Sequence, residues 1–371
     1  MQDTRAYQLL ELTAICGELP ANLLSRIPGS TSYLETVVGL LKKENLLKTY
    51  YRDRHRGYRL GSKAKRRLLA DNPERFAFYL TGNAETNLLK SEINRRLRLH
   101  RIAEVYMLMQ NAGVAIFRDE KPPVFSPTAA AVPPLTIPAF YNSREVKELG
   151  LESVKIQGSR MTGVLLTPDE LFLVYNGGPY LAKWDYRAEQ RTQAFLNMVL
   201  CRQRLSARYR SKRIQGILLG DGLETFYQLL SGADSSTRCF FLLDGNYEHF
   251  YYLTNDCYGE VMLKLLCAPD KVRRLNEVLS QDLYGAANGA LMEHDAVDSD
   301  GDPVLFGYLP DIPRIHRFYT ALQLQDRRGT LICFDFQEPV MRRLFDKRLQ
   351  LQTISFEKME GRFFPSAKEN Y

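Results

Sequence analysis

The sequence has no long hydrophobic run. No apolar stretch approaches the roughly 18 residues that a membrane-spanning helix requires, so we expect no membrane partner. Residues 1–10, MQDTRAYQLL, carry an acid where a secretory signal peptide has a basic region. We therefore expect a cytoplasmic protein.

Patterns of metal-ligating residues are equally scarce. No two of the six cysteines form a CxxC pair, and the five histidines show no paired spacing. Zinc sites and disulfide frameworks need such spacing, so the sequence predicts neither, nor any resident cofactor. We expect the cysteines to be reduced residues of the core, namely Cys16, Cys201, Cys239, Cys257, Cys267 and Cys333.

The positive charge is concentrated near the N-terminus. The 371 residues have a net charge of +7, of which residues 1–101 contribute +9 and the remainder −2. Residues 42–67 alone contain eleven Lys and Arg against two acids. Lys and Arg that neutralise phosphates release condensed counterions, so this charge distribution favours a polyanionic partner. The chain length predicts two or three domains.

Apolar residues at helical spacing predict three short helices at the start of the chain. The first covers Tyr7–Ile15, and the second follows Pro20. Ser30, Thr31 and Ser32 are candidate caps at the start of the third helix, and Glu35 has the spacing that completes a capping box with Ser32. This spacing of helices is typical of a helix-turn-helix.

A hairpin and a fourth helix follow. Apolar and aromatic runs flank the polar residues 52–57, and this pattern predicts a β-hairpin, here called the basic hairpin. Ser62–Leu69 is predicted to be a helix that ends before Pro73. The order of elements predicts a winged helix-turn-helix DNA-binding domain over residues 1–80.

In a winged helix the third helix enters the major groove, and the hairpin contacts the neighbouring backbone or minor groove. We therefore predict double-stranded DNA as the partner, although winged helices also bind proteins. The predicted DNA-binding residues are Thr31, Ser32, Tyr33 and Thr36 near base edges, and Lys42, Lys43, Arg52, Arg54, Arg56, Lys63, Arg66 and Arg67 on phosphates.

The rest of the chain predicts an α/β fold. Residues 81–113 form a connecting helix, with an amphipathic stretch from about residue 85 to residue 111. Residues 114–371 alternate strand-like and helical segments, which favours a domain with a mixed sheet. The first of its predicted strands is Val114–Phe117, and another is Cys239–Leu243. A further subdomain over residues 214–371 is compatible with the pattern.

Five segments within about residues 5–205 carry a family resemblance. They read YRLGSKAKRRL, LHRIAEVYMLMQNAG, FYNSREVKELG, SRMTGVLLTPDELFLVYNGG and KWDYRAEQ. Together they resemble the replication-relaxation family of plasmids and conjugative elements, which includes relaxases related to restriction endonucleases. The resemblance implies that the α/β domain, from residue 114 to about residue 205, forms a degenerate restriction-endonuclease-like core.

Relaxases of that type use a Pro-Asp turn and a downstream acid-x-Lys to hold a divalent metal beside the scissile phosphate. The resemblance assigns these catalytic roles to Asp169, in Pro168-Asp169-Glu170, and to Lys183. However, Leu181 stands where the second acid is required. Glu145 and Lys147 have the acid-x-Lys spacing but precede the turn.

We expect a DNA-binding accessory or initiation protein of a bacterial mobile element, acting in plasmid replication or mobilisation. One alternative is a metal-dependent nickase that uses Mg²⁺ or Mn²⁺. Another is a transcriptional regulator whose C-terminal domain senses a ligand or dimerises. The sequence leaves open contacts with replication or conjugation proteins and a homodimer.

Overall fold

The computed structural model describes residues 4–128, 131–149, 156, 158–178, 185–209, 214–231, 246–285 and 292–365. Within these ranges the protein is a mixed α/β structure with three β-sheets. None of the helices in this part of the chain is long and apolar enough to cross a membrane.

The N-terminal unit combines short helices with a three-stranded antiparallel sheet. Its strands lie in the order β1-β3-β2, so β3 is central. In chain order the elements are α1 (Arg5–Cys16), β1 (Glu18–Pro20), a 3-10 helix (Ala21–Arg26), α2 (Thr31–Lys43), β2 (Leu47–Arg52), β3 (His55–Leu60), α3 (Ser62–Asp71) and α4 (Pro73–Leu80).

Local chemistry explains how these elements begin and end. Helix α1 ends at Gly17, whose φ of 80° is a conformation that glycine adopts without steric cost. Helix α2 is capped by Ser30, one of the three candidate caps, whose side chain accepts a hydrogen bond from the Tyr33 amide. Ser32 lies inside the helix and is not its cap. Helix α3 ends at Asp71, before Pro73 as predicted, and Pro73 begins α4 because proline suits the first helical turn.

Helix α5 (Ile93–Asn111) starts eight residues later than the amphipathic stretch predicts, and it lies between the N-terminal unit and the second sheet. Nearly all of its residues from Leu99 to Met109 are buried, including Tyr106. A helix that is buried on most of its circumference has partners on both sides. It contacts α1 and β1 on the N-terminal side and strand β6 on the other.

The second sheet has the order β4-β5-β6-β7-β8, with β6, β7 and β8 parallel. Its strands are β4 (Ala139–Asn142), β5 (Met161–Leu166), β6 (Leu171–Gly178), β7 (Gln215–Gly220) and β8 (Phe250–Thr254). The helices along this part of the chain are α6 (Ser143–Val146), α7 (Tyr186–Arg202), α8 (Ser206–Tyr209) and α9 (Leu223–Ser231).

Side chains of β6 alternate between two cores. Phe172 and Val174 belong to the cluster that contains α5 residues, whereas Leu173 and Tyr175 belong to the cluster that contains Phe195 of α7. Both faces of the sheet are therefore covered, which explains the nearly continuous apolar sequence of this strand.

The third sheet has the order β13-β12-β11-β10-β9, and β11, β12 and β13 are parallel. Its strands are β9 (Tyr284–Gly285), β10 (Ala296–Val297), β11 (Pro303–Phe306), β12 (Gly329–Phe334) and β13 (Leu349–Ile354). The helices here are α10 (Cys257–Leu266), α11 (Pro269–Leu279), α12 (Ile312–Leu324), α13 (Glu338–Leu344) and α14 (Phe356–Phe363).

Two of the predicted strands do not appear among the strands of the residues that the structure describes. Val114–Phe117 is not a strand, since only an isolated bridge joins Ala115 to Ala139. Cys239–Leu243 lies outside the described residues.

Candidate nucleic-acid interface

Helix α2 has one buried and one exposed side. Its buried residues are Leu34, Val37, Val38 and Leu41, at the spacing of an amphipathic helix. The side chains predicted to lie near base edges are on the exposed side, and Tyr33 is 51% exposed although it is large and aromatic. These exposed residues are Thr31, Ser32, Tyr33 and Thr36.

The basic hairpin is formed by β2 and β3, which pair from Leu47 to Leu60. Its turn is shorter than predicted: Asp53 and Arg54, both with positive φ, connect the two strands. Two successive residues of this kind are typical of the tight hairpin turns whose twist matches that of the strands. Arg54 therefore projects from the tip of the hairpin.

The side chains at the end of the basic hairpin are open to solvent. Arg52, Arg54 and Arg56 are exposed, and so is Tyr51, which lies opposite Arg56 across the strands and is 68% exposed. An aromatic ring beside several guanidinium groups is a suitable surface for a sugar-phosphate backbone.

The remaining predicted phosphate contacts are on helices. Lys42 and Lys43 occupy the last turn of α2, where positive charge also interacts favourably with the helix dipole. On α3, Lys63 and Arg66 are exposed, whereas Arg67 is half-buried and lies 3.8 Å from Asp71. Eleven of the twelve predicted DNA-binding residues are thus exposed.

A buried ionic network holds the basic hairpin in place. The Glu18 carboxylate of β1 is fully buried and accepts hydrogen bonds from Arg59 Nε at 2.8 Å and from Arg96 Nη2 at 2.6 Å. His100 Nε2 lies 2.8 Å from Glu18 Oε1. The same Arg96 also donates to the carbonyls of Arg52 and His55, which flank the hairpin turn. Helix α5 therefore positions the hairpin through Arg96.

The hydrogen bonds of this network lower the pKa of Glu18. Burial raises the pKa of the carboxyl, but hydrogen bonds from His100, Arg96 and Arg59 outweigh that effect and lower the pKa to about 2. There is no room beside it: a Cβ on Gly57 would lie 2.5 Å from Glu18 Oε1. Sequence reasoning missed this network, because its members are separated by as many as 82 residues.

The predicted catalytic residues are not brought together within the described part of the chain. Asp169 is exposed in the tight turn between β5 and β6, where its amide donates to Thr167 Oγ1. Its carboxylate lies 3.9 Å from Arg208. Lys183 and Leu181 lie outside the described residues.

Glu145 and Lys147 do not form a pair. Glu145 is buried and forms an ion pair with buried Lys121 at 2.9 Å, and its side chain also completes the capping box of Asn142. Lys147 is exposed. The acid-x-Lys spacing at this point therefore reflects a helix cap.

No group of three or more His, Cys, Asp or Glu side chains suited to a metal ion occurs in the ranges that the structure describes. Two cysteines there are buried as expected, Cys16 and Cys333. The expectation of a core position is wrong for Cys201 and Cys257, which are exposed.

Comparison of the chain with models of protein families, with curated proteins and with solved structures finds no match. The resemblance to the replication-relaxation family thus remains a prediction from the sequence segments.

Proposed function

We propose that residues 5–80 form a winged helix-turn-helix that binds duplex DNA, with α2 in the major groove and the basic hairpin on the adjacent backbone. The observation that carries this proposal is the exposure of eleven of the twelve predicted contact residues, which lie on α2, on the basic hairpin that follows it and on α3. The order of elements, from α1 through β1, the 3-10 helix and α2 to the hairpin, supports it.

The proposal includes a role as accessory or initiation protein of a mobile element, which rests on the sequence resemblance. It also includes a nuclease-like core without catalytic activity in the α/β part that follows α5. The core is proposed to be inactive because Asp169 lies exposed in a turn beside Arg208. A metal-dependent nickase would need acids that converge with Asp169, and no observation in the described residues favours one.

The first experiment replaces Arg52, Arg54 and Arg56 together by alanine and measures binding to duplex DNA at several salt concentrations. We expect weaker binding to every sequence, and a slope of log affinity against log salt reduced by up to about 3, since each lost phosphate contact contributes roughly 0.9. Fluorescence anisotropy with labelled duplexes measures both quantities.

A matched variant removes three exposed arginines from the C-terminal part of the chain, Arg273, Arg342 and Arg343. It changes the net charge by the same amount and should bind DNA with the salt slope of the unmodified protein. Equal effects of the two triple variants, or unchanged binding of the hairpin variant, would contradict the proposed interface.

A further inference from the structure

A cavity of about 490 Å³ lies between the basic hairpin and the second sheet. Its size falls within the range of about 300–1,000 Å³ that is usual for small-molecule sites. The charged and titratable groups that line it are Arg54, His55, Arg56, His100, Arg101, Glu104 and Asp221. They come from three separate parts of the fold, namely the hairpin, α5 and the segment after β7.

One side of the cavity is cationic. Neither the Arg54 nor the Arg101 guanidinium has a hydrogen-bonded or ion-paired partner among the described residues. The Arg101 side chain lies against the end of β6, where a Cβ on Gly178 would be 3.4 Å from Arg101 Nε. Guanidinium groups without a partner are the usual donors to phosphate oxygens, often through two parallel hydrogen bonds.

The other side carries two carboxylates. Glu104 accepts a hydrogen bond from Asn176 Nδ2 at 2.8 Å, and Asn176 is in β6. Asp221 directly follows β7, and β6 and β7 are parallel, so their carboxyl ends meet at this edge of the sheet. The crevice outside the carboxyl ends of parallel strands is where α/β proteins bind ligands.

Burial and neighbouring charges shift the pKa values of both acids. Burial raises the pKa of Glu104 above its ordinary value, and the charge of Asp221 raises it further. Burial likewise raises the pKa of Asp221, whereas Arg101 lowers it. Such groups accept hydrogen bonds readily when a ligand supplies hydroxyl or amino donors.

We propose that this cavity binds a nucleotide unit, with Arg54 and Arg101 on the phosphate and with Glu104 and Asp221 accepting hydrogen bonds from the sugar hydroxyls or the base. The apolar part of the lining, which includes Leu97, provides a surface for the base. The nucleotide comes either from solution or from the strand of a bound DNA.

This inference does not depend on contacts of α2 with DNA, although Arg54 belongs to both sites. The two proposals can be separated with Lys63 and Arg66, which are exposed on α3 and do not line the cavity. Replacing both by alanine should weaken duplex binding and leave nucleotide binding unchanged. If duplex binding is unaffected but nucleotide binding depends on Arg101, only the present inference stands.

The test is calorimetric titration of the full chain with nucleoside 5′-monophosphates, with the corresponding nucleosides and with inorganic phosphate. Arg101→Gln should bind the monophosphates about tenfold more weakly or worse, because a charged hydrogen bond is lost. Arg95→Gln is the matched control, since Arg95 is also on α5 but pairs with Glu92 at 2.9 Å outside the cavity. It should bind as the unmodified protein does.

Asp221→Asn tests the other side of the cavity. It should weaken binding of the monophosphate while inorganic phosphate binds with unchanged or slightly higher affinity. If Arg101→Gln does not fold, Arg101→Lys takes its place, with an intermediate loss of affinity expected. A thermal unfolding curve of each variant identifies misfolded protein.

Two results would support the proposal and distinguish the sources. Binding of free monophosphates that depends on Arg101 indicates a ligand from solution. Binding of a single-stranded oligonucleotide that depends on Arg101, without binding of free monophosphates, indicates a nucleotide of the DNA strand. The proposal would be overturned if Arg101→Gln and Arg95→Gln lost affinity equally. It would also be overturned if Arg101→Gln lost no affinity for either the monophosphates or the oligonucleotide.

Discussion

The Glu18 carboxylate lies where the side chains of Arg59 from β3 and of Arg96 and His100 from α5 converge, and it has no access to solvent. Removing one partner from a buried ionic group leaves the others without compensation, which costs more free energy than the intact network contributes. Glu18 therefore matters for the position of the basic hairpin as well as for stability.

We predict that Glu18→Gln lowers the free energy of unfolding at pH 7 by about 3–5 kcal/mol. The folded-state pKa of Glu18 is about 2, below its ordinary value. Its stabilising contribution is therefore present above about pH 4.5 and is lost as the pH falls towards 2. The difference between the two proteins should shrink over this interval, as measured by urea unfolding from pH 7 down to pH 3.

Glu92→Gln serves as the control, since the Glu92–Arg95 pair is exposed and such pairs contribute about 0–1 kcal/mol. The difference in free energy of unfolding between Glu18→Gln and the unmodified protein could instead stay constant down to pH 3. That result would show that the network does not depend on the ionised form of Glu18.

At the scale of the element, α2 is anchored to the core by one side and is open to solvent on the other. Its buried side packs with the N-terminal core, and its exposed side carries short polar side chains and Tyr33. Short hydroxyl groups and an aromatic ring can contact base edges and thymine methyl groups in a major groove.

We predict that Ser32→Ala and Tyr33→Ala change the preferred DNA sequence more than the overall affinity. A single base contact contributes about 1–3 kcal/mol of discrimination, so selection from random duplexes should give different motifs for variant and unmodified protein. Tyr284→Ala, which removes another exposed tyrosine from the third sheet, is the control. Equal losses on selected and random duplexes would remove both residues from a base-reading role.

The sequence patterns that predicted elements correctly are local ones. Helical apolar spacing located α2, and short, nearly continuous apolar runs located β6, β7 and β12, in each case to within a few residues. Strand β1 has only three residues, all buried, so it shows no alternation that could be recognised. It forms because Glu18 and Leu19 pair with β3, a contact across some 40 residues.

The candidate sites show the same division between local and long-range information. The exposed cations on α2, the basic hairpin and α3 could be predicted from a run of neighbouring residues. The cavity acids could not, because Glu104 is a single acid on a helix of basic and apolar residues and Asp221 stands in an ordinary strand-to-helix turn. Only the packing of α5 against β6 brings them together.

At the scale of the whole molecule, the N-terminal unit and the α/β part share one apolar core. The same cluster contains Leu9 of α1, Met107 of α5 and Val174 of β6. Polar contacts reinforce this junction: Arg26 of the 3-10 helix forms an ion pair with Glu260 of α10, and Asn111 Nδ2 donates to Glu260 at 2.8 Å.

This continuity leads to a prediction about unfolding. Separation of residues 4–80 from the rest would expose one side of α5 and break the Arg26–Glu260 pair, so neither part can unfold without a large loss for the other. We predict a single cooperative thermal transition, with equal calorimetric and van't Hoff enthalpies. Chains of this length often unfold in several steps, which makes the expectation specific to this junction.

Two core substitutions test it. Leu9 of α1 and Leu331 of β12 are both fully buried, but they lie in different apolar clusters. Replacing either by alanine should cost about 2–5 kcal/mol and lower the midpoint of the same, single transition in scanning calorimetry. If Leu9→Ala instead splits the transition, or shifts only an early part of it, the N-terminal unit unfolds independently, and the shared core does not couple it to the α/β part.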